Sequence, residues 1–323
     1  MVLAAGLGTR MRPLTLLRAK PVLPVMNRPL LHWTLDLLKR SGVGEVMINL
    51  HYLPDTVVEA IGDGRALGLK VTYSREPKIL GTAGGPRKVR DFFGDEPFFL
   101  VNGDMVFDFD LRALRERHLC AGARATLALR PNPDPRRYPP IRTARNGRVT
   151  SLPGLARKAR GTASLFSGVH VIDPAILDRL PPGPSDTVRD LYAPLVGEGE
   201  TILGVRMRGP WFDIGSPALY LASQRALLAA GFGGARKGVL VHPDARIALG
   251  ARVSRSVIGP GSVIGAGARV TGSILWDGVT VGEGARVAGS ILATGTRVAP
   301  GDRYENALAT RRGRRQQVIV VAA

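Results

Sequence analysis

The C-terminal third of the chain repeats every 17 residues, and this repeat limits the possible folds more than any other feature. The repeats begin at Ser256, Ser273 and Ser290, and aliphatic residues within them fall six, six and five positions apart. A three-sided coil of stacked short strands would bury all of these residues, so we predict a parallel β-helix rather than a glycine-rich meander. The three aliphatic sets are Val241, Ile258, Leu275 and Leu292; Ile247, Ile264, Val281 and Val298; and Val253, Val270 and Val287.

The predicted β-helix is short for a solenoid that has to fold alone. Stacked repeats gain stability only from their neighbours, so a short array needs further contacts. We therefore expect it to pack on a neighbouring domain or on another chain, and we predict a homo-oligomer formed through the β-helix.

Before residue 236, strand and helix patterns alternate. Helices are predicted over residues 29–42, over residues 55–64 with Asp55 as the N-cap, over 83–94, and after Asp110 as an N-cap. Strands are predicted over residues 1–5, 45–52, 70–76 and 98–104. This alternation indicates a mainly parallel sheet with helices on both faces, whose ligands bind at the carboxyl ends of the strands.

Composition excludes several classes of protein. The 323 residues are enough for two globular domains, and the single cysteine, Cys120, predicts a reducing cytoplasm. No apolar run approaches the roughly 18 residues that a membrane span requires, and the first residues do not resemble a signal peptide. The net charge of +19 is spread along the chain without an aromatic-interleaved basic stripe, so nucleic acid is not the expected partner.

The stretch "GLGTRMRP" follows the apolar run Met1–Ala5. A glycine-rich turn after a strand can point several N–H groups at a phosphate, and the arginines supply positive charge. The Walker pattern fails because Thr9 and Arg10 follow Gly8, and the dinucleotide fingerprint fails because Met11 stands where a small residue is needed. The stretch is thus a phosphate loop of another kind, or a simple turn.

Two carboxylates and a second glycine-rich segment also stand after predicted strands. Asp104 ends "FFLVNGD" and Asp213 lies in "PWFDIGSP", so the two could share Mg²⁺ with substrate phosphates, or serve only as turn or cap residues. In "EPKILGTAGG", glycines such as Gly81 could let the backbone reach a flat ligand, and the Glu76 carboxylate could accept hydrogen bonds from a base. A plain strand-to-helix connection is the alternative.

The motifs "LAAGLGTRMRPLT", "KP", "LGTAGG", "NGD", "FSGVHVI" and "WFDIGSPALYLAS", in this order, resemble those of the sugar-1-phosphate nucleotidyltransferases. Within that family the chain is most similar to mannose-1-phosphate guanylyltransferases that carry a C-terminal left-handed β-helix. The resemblance implies a Rossmann-like mixed-sheet domain over residues 1–235, a left-handed β-helix over 236–305 and a basic tail over 306–323.

The resemblance also implies roles for individual residues. Arg10 and Lys20 would hold phosphate oxygens, and Asp104 and Asp213 would bind Mg²⁺. Nucleotide-binding residues would be Leu3, Ala4, Gly6, Gly8, Thr9, Glu76, Gly81 and Thr82. Gly168 would lie beside the sugar. The family's Glu-Lys-Pro triplet near residue 155 is absent from this sequence, so Arg157 or Lys158 is expected to replace its lysine.

The reaction implied is attack of a sugar 1-phosphate on the α-phosphorus of a nucleoside triphosphate, with release of pyrophosphate. GTP is favoured because the Glu76 carboxylate offers two acceptors to guanine, and mannose 1-phosphate is the sugar that the resemblance implies. A uridylyl- or thymidylyltransferase acting on glucose or amino-sugar 1-phosphate is the alternative. The sequence leaves two other classes open: a non-catalytic subunit that binds nucleotide sugars, and an acyltransferase, for which the β-helix offers only His242 as a histidine base.

Overall fold

The computed structural model describes residues 1–153, 155 and 161–320, and the chain forms two compact units. The N-terminal unit consists of Met1–Leu7 and Trp33–Trp211, and the C-terminal unit consists of Gly8–His32 and the residues from Phe212 onward. Residues 8–32 thus group with the C-terminal residues, whereas the boundary predicted after residue 235 assigns them to the N-terminal domain.

The described residues contain six α-helices and 27 strands. The helices are α1 Leu30–Arg40, α2 Pro54–Ile61, α3 Gly81–Lys88, α4 Leu111–Cys120, α5 Ala193–Gly197 and α6 Pro217–Ala229. The strands up to residue 213 are β1 Val2–Leu3, β2 Pro24–Val25, β3 Arg28–Pro29, β4 Glu45–Leu50, β5 Lys70–Arg75, β6 Phe98–Asn102, β7 Met105–Phe107, β8 Ala125–Arg130, β9 Ile141–Thr143, β10 Val149–Ser151, β11 Thr162–Ile172, β12 Ile202–Arg206 and β13 Trp211–Asp213. Those of the C-terminal repeats are β14 Leu240–Val241, β15 Arg246–Ile247, β16 Arg252–Ser254, β17 Val257–Ile258, β18 Val263–Ile264, β19 Arg269–Thr271, β20 Ile274–Leu275, β21 Thr280–Val281, β22 Arg286–Ala288, β23 Ile291–Leu292, β24 Arg297–Val298, β25 Arg303–Glu305, β26 Ala307–Arg312 and β27 Arg315–Val320.

The N-terminal unit is built on a mixed sheet with the strand order β10-β9-β11-β6-β1-β4-β5, and β8 and β12 extend from β11. Strand β1 pairs in parallel with both β4 and β6, while β11 runs antiparallel to β6, β8 and β9. The predicted mixed sheet is confirmed. Because β1, β4, β5 and β6 are parallel, their carboxyl ends meet at one edge.

The helix predictions hold with two corrections. The helix predicted over 83–94 is α3, which begins at Gly81 and ends at Lys88, and a separate 3₁₀ turn follows at Arg90–Phe93. Asp110 caps α4, because its Oδ1 accepts from the N–H of Ala113 at 3.0 Å. Asp55 is not the N-cap of α2: the helix begins at Pro54, which suits a first helical position, and Leu53 is the cap. Asp55 therefore lies in the first turn, where its charge still faces the positive end of the helix dipole.

The predicted β-helix is confirmed. Three sheets run along the coil, and strands of successive coils pair in parallel 17 residues apart, as Val257 does with Ile274. The predicted aliphatic sets point inward, since Ile258, Ile264 and Val270 are all fully buried. Packing of these sets against one another makes the coil a continuous apolar column.

The serines that begin each repeat form a buried ladder. Ser256 Oγ accepts from the N–H of Ser273 at 3.0 Å, and Ser273 Oγ accepts from the N–H of Ser290 at 3.1 Å. Each of these hydroxyls also donates to a carbonyl of its own coil, as Ser256 does to Ser254 at 2.7 Å. Each of these three ladder hydroxyls therefore has hydrogen-bond partners, which explains why the repeat keeps a polar residue there.

The two ends of the β-helix differ. At the first coil, Val241 and Ile247 occupy inward positions but remain 37% and 40% exposed. At the last coil, β26 and β27 form an antiparallel hairpin, so the residues predicted as a basic tail continue the β-helix sheet up to Val320.

Among the described residues, no helix combines the length and hydropathy of a membrane span.

The buried column predicts a large difference between two leucines of the same solenoid. Leu275→Ala should lower the free energy of unfolding by about 2–5 kcal/mol, because Leu275 is 1% exposed and its removal leaves a cavity. Leu249→Ala, at a position that is 96% exposed, should change it by less than about 0.5 kcal/mol. Guanidinium denaturation followed by circular dichroism measures both, and equal midpoints would contradict this description of the core.

Candidate active site

The carboxyl edge of the N-terminal sheet brings several predicted site residues together. Leu3 lies in register with Asn49 of β4 on one side and Asn102 of β6 on the other. The N–H of Ala4 donates to Asn49 Oδ1 at 2.8 Å, and the N–H of Gly103 donates to the Leu3 carbonyl at 2.9 Å. Leu3 and Ala4 therefore share this edge with the loop that carries Asp104.

Glu76 directly follows β5, and each of its carboxylate oxygens accepts a hydrogen bond from within the protein. Asn49 Nδ2 donates to Oε1 at 2.8 Å, and the N–H of Leu80 donates to Oε2 at 2.9 Å. The side chain is 3% exposed, and a Cβ at Gly85 would lie 2.8 Å from Oε1. Glu76 is thus an oriented carboxylate, and each oxygen has a further lone pair for another donor.

Two glycines of "LGTAGG" are required for packing inside the protein. A Cβ at Gly81 would lie 2.4 Å from the carbonyl oxygen of Ser185, and one at Gly84 would lie 2.2 Å from that of Gly183. These two glycines therefore let α3 pack closely against the loop 183–187. The Thr82 hydroxyl is also directed to this loop, where it donates to Asp186 Oδ2 at 3.0 Å.

Gly168 lies next to the loop that holds Asp104. It has φ +79°, and a Cβ there would lie 2.7 Å from both Asn102 Nδ2 and Met105 Cε. The neighbouring Ser167 carbonyl accepts from the indole N–H of Trp211 at 3.1 Å. The residue predicted to lie beside the sugar is therefore placed against Asn102 at the polar end of β6.

In the C-terminal unit, the glycine-rich loop and Lys20 are in direct contact. Gly8 has φ +61°, and a Cβ there would lie 2.9 Å from Thr15 Cγ2 and 3.2 Å from Lys20 Cβ. The Gly8 carbonyl accepts from the Thr15 hydroxyl at 2.9 Å. Thr9 and Arg10 are exposed on the 3₁₀ turn that follows, whereas Lys20 is 8% exposed. A loop whose turn depends on a glycine with positive φ thus lies against a nearly buried lysine.

Asp213 belongs to the same unit and ends β13. A Cβ at Gly215 would lie 2.9 Å from Asp213 Oδ1 and 3.0 Å from Oδ2, so the glycine leaves space for both oxygens. Ser216 then caps α6 by accepting from the N–H of Leu219 at 3.3 Å. The sequence "WFDIGSP" is therefore a strand end, a turn that gives the carboxylate room, and a helix start.

Sequence reasoning missed several residues and could not place others. Asn49 and Asn102 were missed, although an asparagine inside the apolar strand β4 is a visible signal. The loop 183–187 carried no such signal, because its role depends on packing against α3. Arg157 and Lys158 lie outside the described residues. Within the described ranges, no group of three or more His, Cys, Asp or Glu side chains could hold a metal ion.

Comparisons with known proteins agree with these observations. A protein-family model described as nucleotidyl transferase matches residues 1–230, and one described as the GMPPB C-terminal domain matches residues 235–321. The structure of HddC from Yersinia pseudotuberculosis matches with a TM-score of 0.60 at 22% identity, covering 70% of this chain and 97% of that one. At that identity the match shows the fold alone.

Two curated relatives are similar in sequence. A UTP–glucose-1-phosphate uridylyltransferase from Synechocystis is 31% identical over 71% of this chain and 63% of its own length, so this chain spans less than two thirds of it. The mannose-1-phosphate guanylyltransferase catalytic subunit beta of Dictyostelium discoideum is 30% identical over 76% of this chain and 72% of its own length. Since the first family model covers most of the chain, the protein belongs to the nucleotidyl transferase family, with a GMPPB-type C-terminal domain.

Proposed function

We propose that this protein is a sugar-1-phosphate nucleotidyltransferase, which joins a nucleoside triphosphate and a sugar 1-phosphate to give a nucleotide sugar and pyrophosphate. The observation that carries the proposal is the direct packing of Gly8 on Lys20, with Arg10 exposed on the next turn. Backbone N–H groups, a guanidinium and an ammonium form a combination that binds phosphate. The single free cysteine, Cys120, supports the proposal of a cytoplasmic enzyme.

The proposed chemistry requires positioning and charge, without a general base. The attacking phosphate oxygen is already an anion, and the other reactant carries negative charge as well. Arg10 and Lys20 would bind phosphate oxygens, reduce the repulsion between the reactants and stabilise the charge that develops on the leaving pyrophosphate. Gly6, Gly8 and Thr9 would offer backbone contacts to the triphosphate.

Mg²⁺ is the proposed cofactor, with Asp104 and Asp213 as its protein ligands. Two carboxylates fit this ion, because Mg²⁺ takes few protein ligands and keeps phosphate and water oxygens in its shell. The room that Gly215 leaves at Asp213 supports the assignment. When bound, the ion would neutralise phosphate charge and orient the triphosphate.

GTP and mannose 1-phosphate are the proposed substrates, giving GDP-mannose. The Dictyostelium relative is named as a guanylyltransferase, and Glu76 presents an oriented carboxylate of the kind that accepts from guanine. The uridylyltransferase name of the Synechocystis relative keeps UTP as the alternative. Leu3, Ala4, Gly81 and Thr82 would complete the nucleotide site, while Gly168 and either Arg157 or Lys158 would serve the sugar phosphate.

A pyrophosphate-release panel tests the proposal. It crosses GTP, UTP, TTP and ATP with mannose, glucose and amino-sugar 1-phosphates, each with and without Mg²⁺. We expect the highest kcat/KM for GTP with mannose 1-phosphate. The wild-type panel tests the choice of nucleobase more directly than Glu76→Gln does. A glutamine amide would place its NH₂ group against the donor of either Asn49 or Leu80, and so would disturb the site for a reason unrelated to the nucleobase. Absence of turnover with every pair would disprove the function.

In the same assay, Asp104→Asn and Asp213→Asn should each lower Mg²⁺-dependent kcat by about 100-fold or more, since loss of a charged metal ligand removes transition-state stabilisation. Asp55→Asn is the matched control, because Asp55 forms an exposed ion pair with Arg75 at 2.9 Å and should leave kcat unchanged. Full activity of both variants would refute the assigned metal ligands.

Gly6 provides a second test, because the protein itself places no atom where its side chain would be. A Cβ at Gly6 would meet nothing within 4 Å, and the same is true at Gly44, which precedes β4. Gly6→Ala and Gly44→Ala should both leave stability unchanged or slightly higher. Gly6→Ala alone should lower kcat/KM for the nucleotide, by about 10-fold or more, because the added methyl group displaces the triphosphate. Equal activity of the two variants would rule out close approach of a ligand at Gly6.

A homo-oligomer formed through the β-helix is also proposed. The support is the first coil, where the inward positions Val241 and Ile247 are partly exposed beside Leu249. Burial of such an apolar end against a second copy would remove it from water. Sedimentation equilibrium should find an assembly larger than 34.5 kDa that Ile247→Asp dissociates, whereas a monomeric wild-type protein would refute the proposal.

A further inference from the structure

The segment of residues 8–32, which we call the phosphate segment, has little regular structure of its own. It consists of three short 3₁₀ turns, at Thr9–Met11, Leu14–Leu16 and Lys20–Val22, and the two-residue strands β2 and β3. Such turns form few backbone hydrogen bonds, so tertiary contacts must fix their geometry. The described contacts within the C-terminal unit show which residues supply this constraint.

Arg18, two residues before Lys20, is bound by the β-helix. Its Nη2 donates to Asp277 Oδ1 at 3.0 Å and to Thr294 Oγ1 at 2.8 Å, and its guanidinium lies 5.1 Å from the ring centroid of Trp276. The Thr294 hydroxyl also donates to Asp277 Oδ1 at 3.0 Å. Because Asp277 and Thr294 are 17 residues apart, Arg18 bridges two neighbouring coils.

The other side of Lys20 is held through the same tryptophan. The buried indole N–H of Trp276 donates to the Tyr220 hydroxyl at 3.0 Å, and that hydroxyl donates to the carbonyl of Pro24. Gln224, on the same helix α6, donates to the Pro24 carbonyl at 3.1 Å and accepts from the N–H of Met26 at 2.9 Å. Burial raises the pKa of Tyr220 well above its usual value, so its hydroxyl keeps the proton it donates.

The turn between β2 and β3 shows that these contacts are needed. Met26 and Asn27 have φ of +52° and +59°, a conformation that residues other than glycine adopt at an energetic cost. Gln224 compensates at Met26, and Asn27 Nδ2 donates to the Ile258 carbonyl of the β-helix at 2.9 Å. In addition, Arg312 of the terminal hairpin donates to the carbonyl of Leu16.

We propose that Arg18 and Trp276 are positioning residues, through which the β-helix holds Lys20 and the phosphate segment in the geometry that binds the triphosphate. The proposal rests on the proposed function, because it takes Lys20 as a phosphate ligand. Trp276 contacts both Arg18 before the lysine and, through Tyr220, Pro24 after it, so one buried side chain constrains the turn from both sides. The β-helix thereby contributes to catalysis through the position of Lys20.

Kinetics of four variants test this proposal. Arg18→Ala should raise KM for the nucleotide and lower kcat/KM about 10-fold or more, because a misplaced phosphate ligand weakens binding and transition-state stabilisation. Trp276→Phe, which keeps a ring but loses the bond to Tyr220, should shift KM in the same direction by less. Arg18→Lys should restore part of the loss, since it keeps a cation over Trp276.

Arg225→Ala is the matched control. Arg225 donates Nε and Nη2 to the Gly272 carbonyl at 3.0 and 2.8 Å, so it also joins α6 to the β-helix, but at another corner of the coil. It should leave KM unchanged. A merely structural role for Arg18 would reduce the fraction of active protein, which lowers the apparent kcat at constant KM.

Hydrogen exchange supplies a readout that does not depend on activity. The amides of Val22 and Leu23 are bonded to the carbonyls of Ala19 and Lys20 at 3.0 and 3.1 Å. Arg18→Ala and Trp276→Phe should speed exchange in a peptide that covers these amides, and Arg225→Ala should not. If Arg18→Ala matches Arg225→Ala in both KM and exchange, the positioning role is overturned. If the wild type turns over no substrate pair but the exchange difference persists, the proposed function fails and the constraint on the segment stands.

Discussion

The pairing of β1 with parallel neighbours on both sides is the constraint on which the polar edge of the N-terminal unit depends. This strand has only two residues, yet it sets Leu3 in register with Asn49 and with Asn102. This register allows two side-chain hydrogen bonds of Asn49, one from the N–H of Ala4 and one to Glu76. It also directs the loop that leads through Gly103 to Asp104. A shift of one residue in β1 would turn its side chains to the opposite face and break each of these contacts.

The glycines of the two loops serve different physical purposes. Gly8 lies against Thr15 and Lys20, and Gly81 and Gly84 lie against the carbonyls of Ser185 and Gly183, so all four contacts are requirements of packing. Gly6 has no such neighbour, and Gly215 gives space to a carboxylate. Glycine content alone therefore does not identify a ligand site, because the atoms that exclude a Cβ decide what each glycine does.

The β-helix combines a repetitive buried core with side-chain contacts that occur only once. Its aliphatic sets and serine ladder repeat from coil to coil and would stabilise any solenoid of this length. Trp276, Asp277 and Thr294 interrupt that regularity on one side, where they bind Arg18. The residues that break the repeat are thus the ones that bind Arg18 of the phosphate segment.

The sequence by itself determined the β-helix, the alternating elements of the N-terminal unit and the residue types at the strand ends, because periodicity, capping and turn chemistry act over a few neighbouring residues. It also identified Asp110 correctly as a cap, whereas the cap of α2 is Leu53, two positions before the predicted Asp55. Only the tertiary structure decided that Asn49 orients Glu76, that α3 packs on the loop 183–187, and that Arg18 binds Asp277, 259 residues away. Contacts of this kind depend on the path of the whole chain, and no local pattern encodes that path.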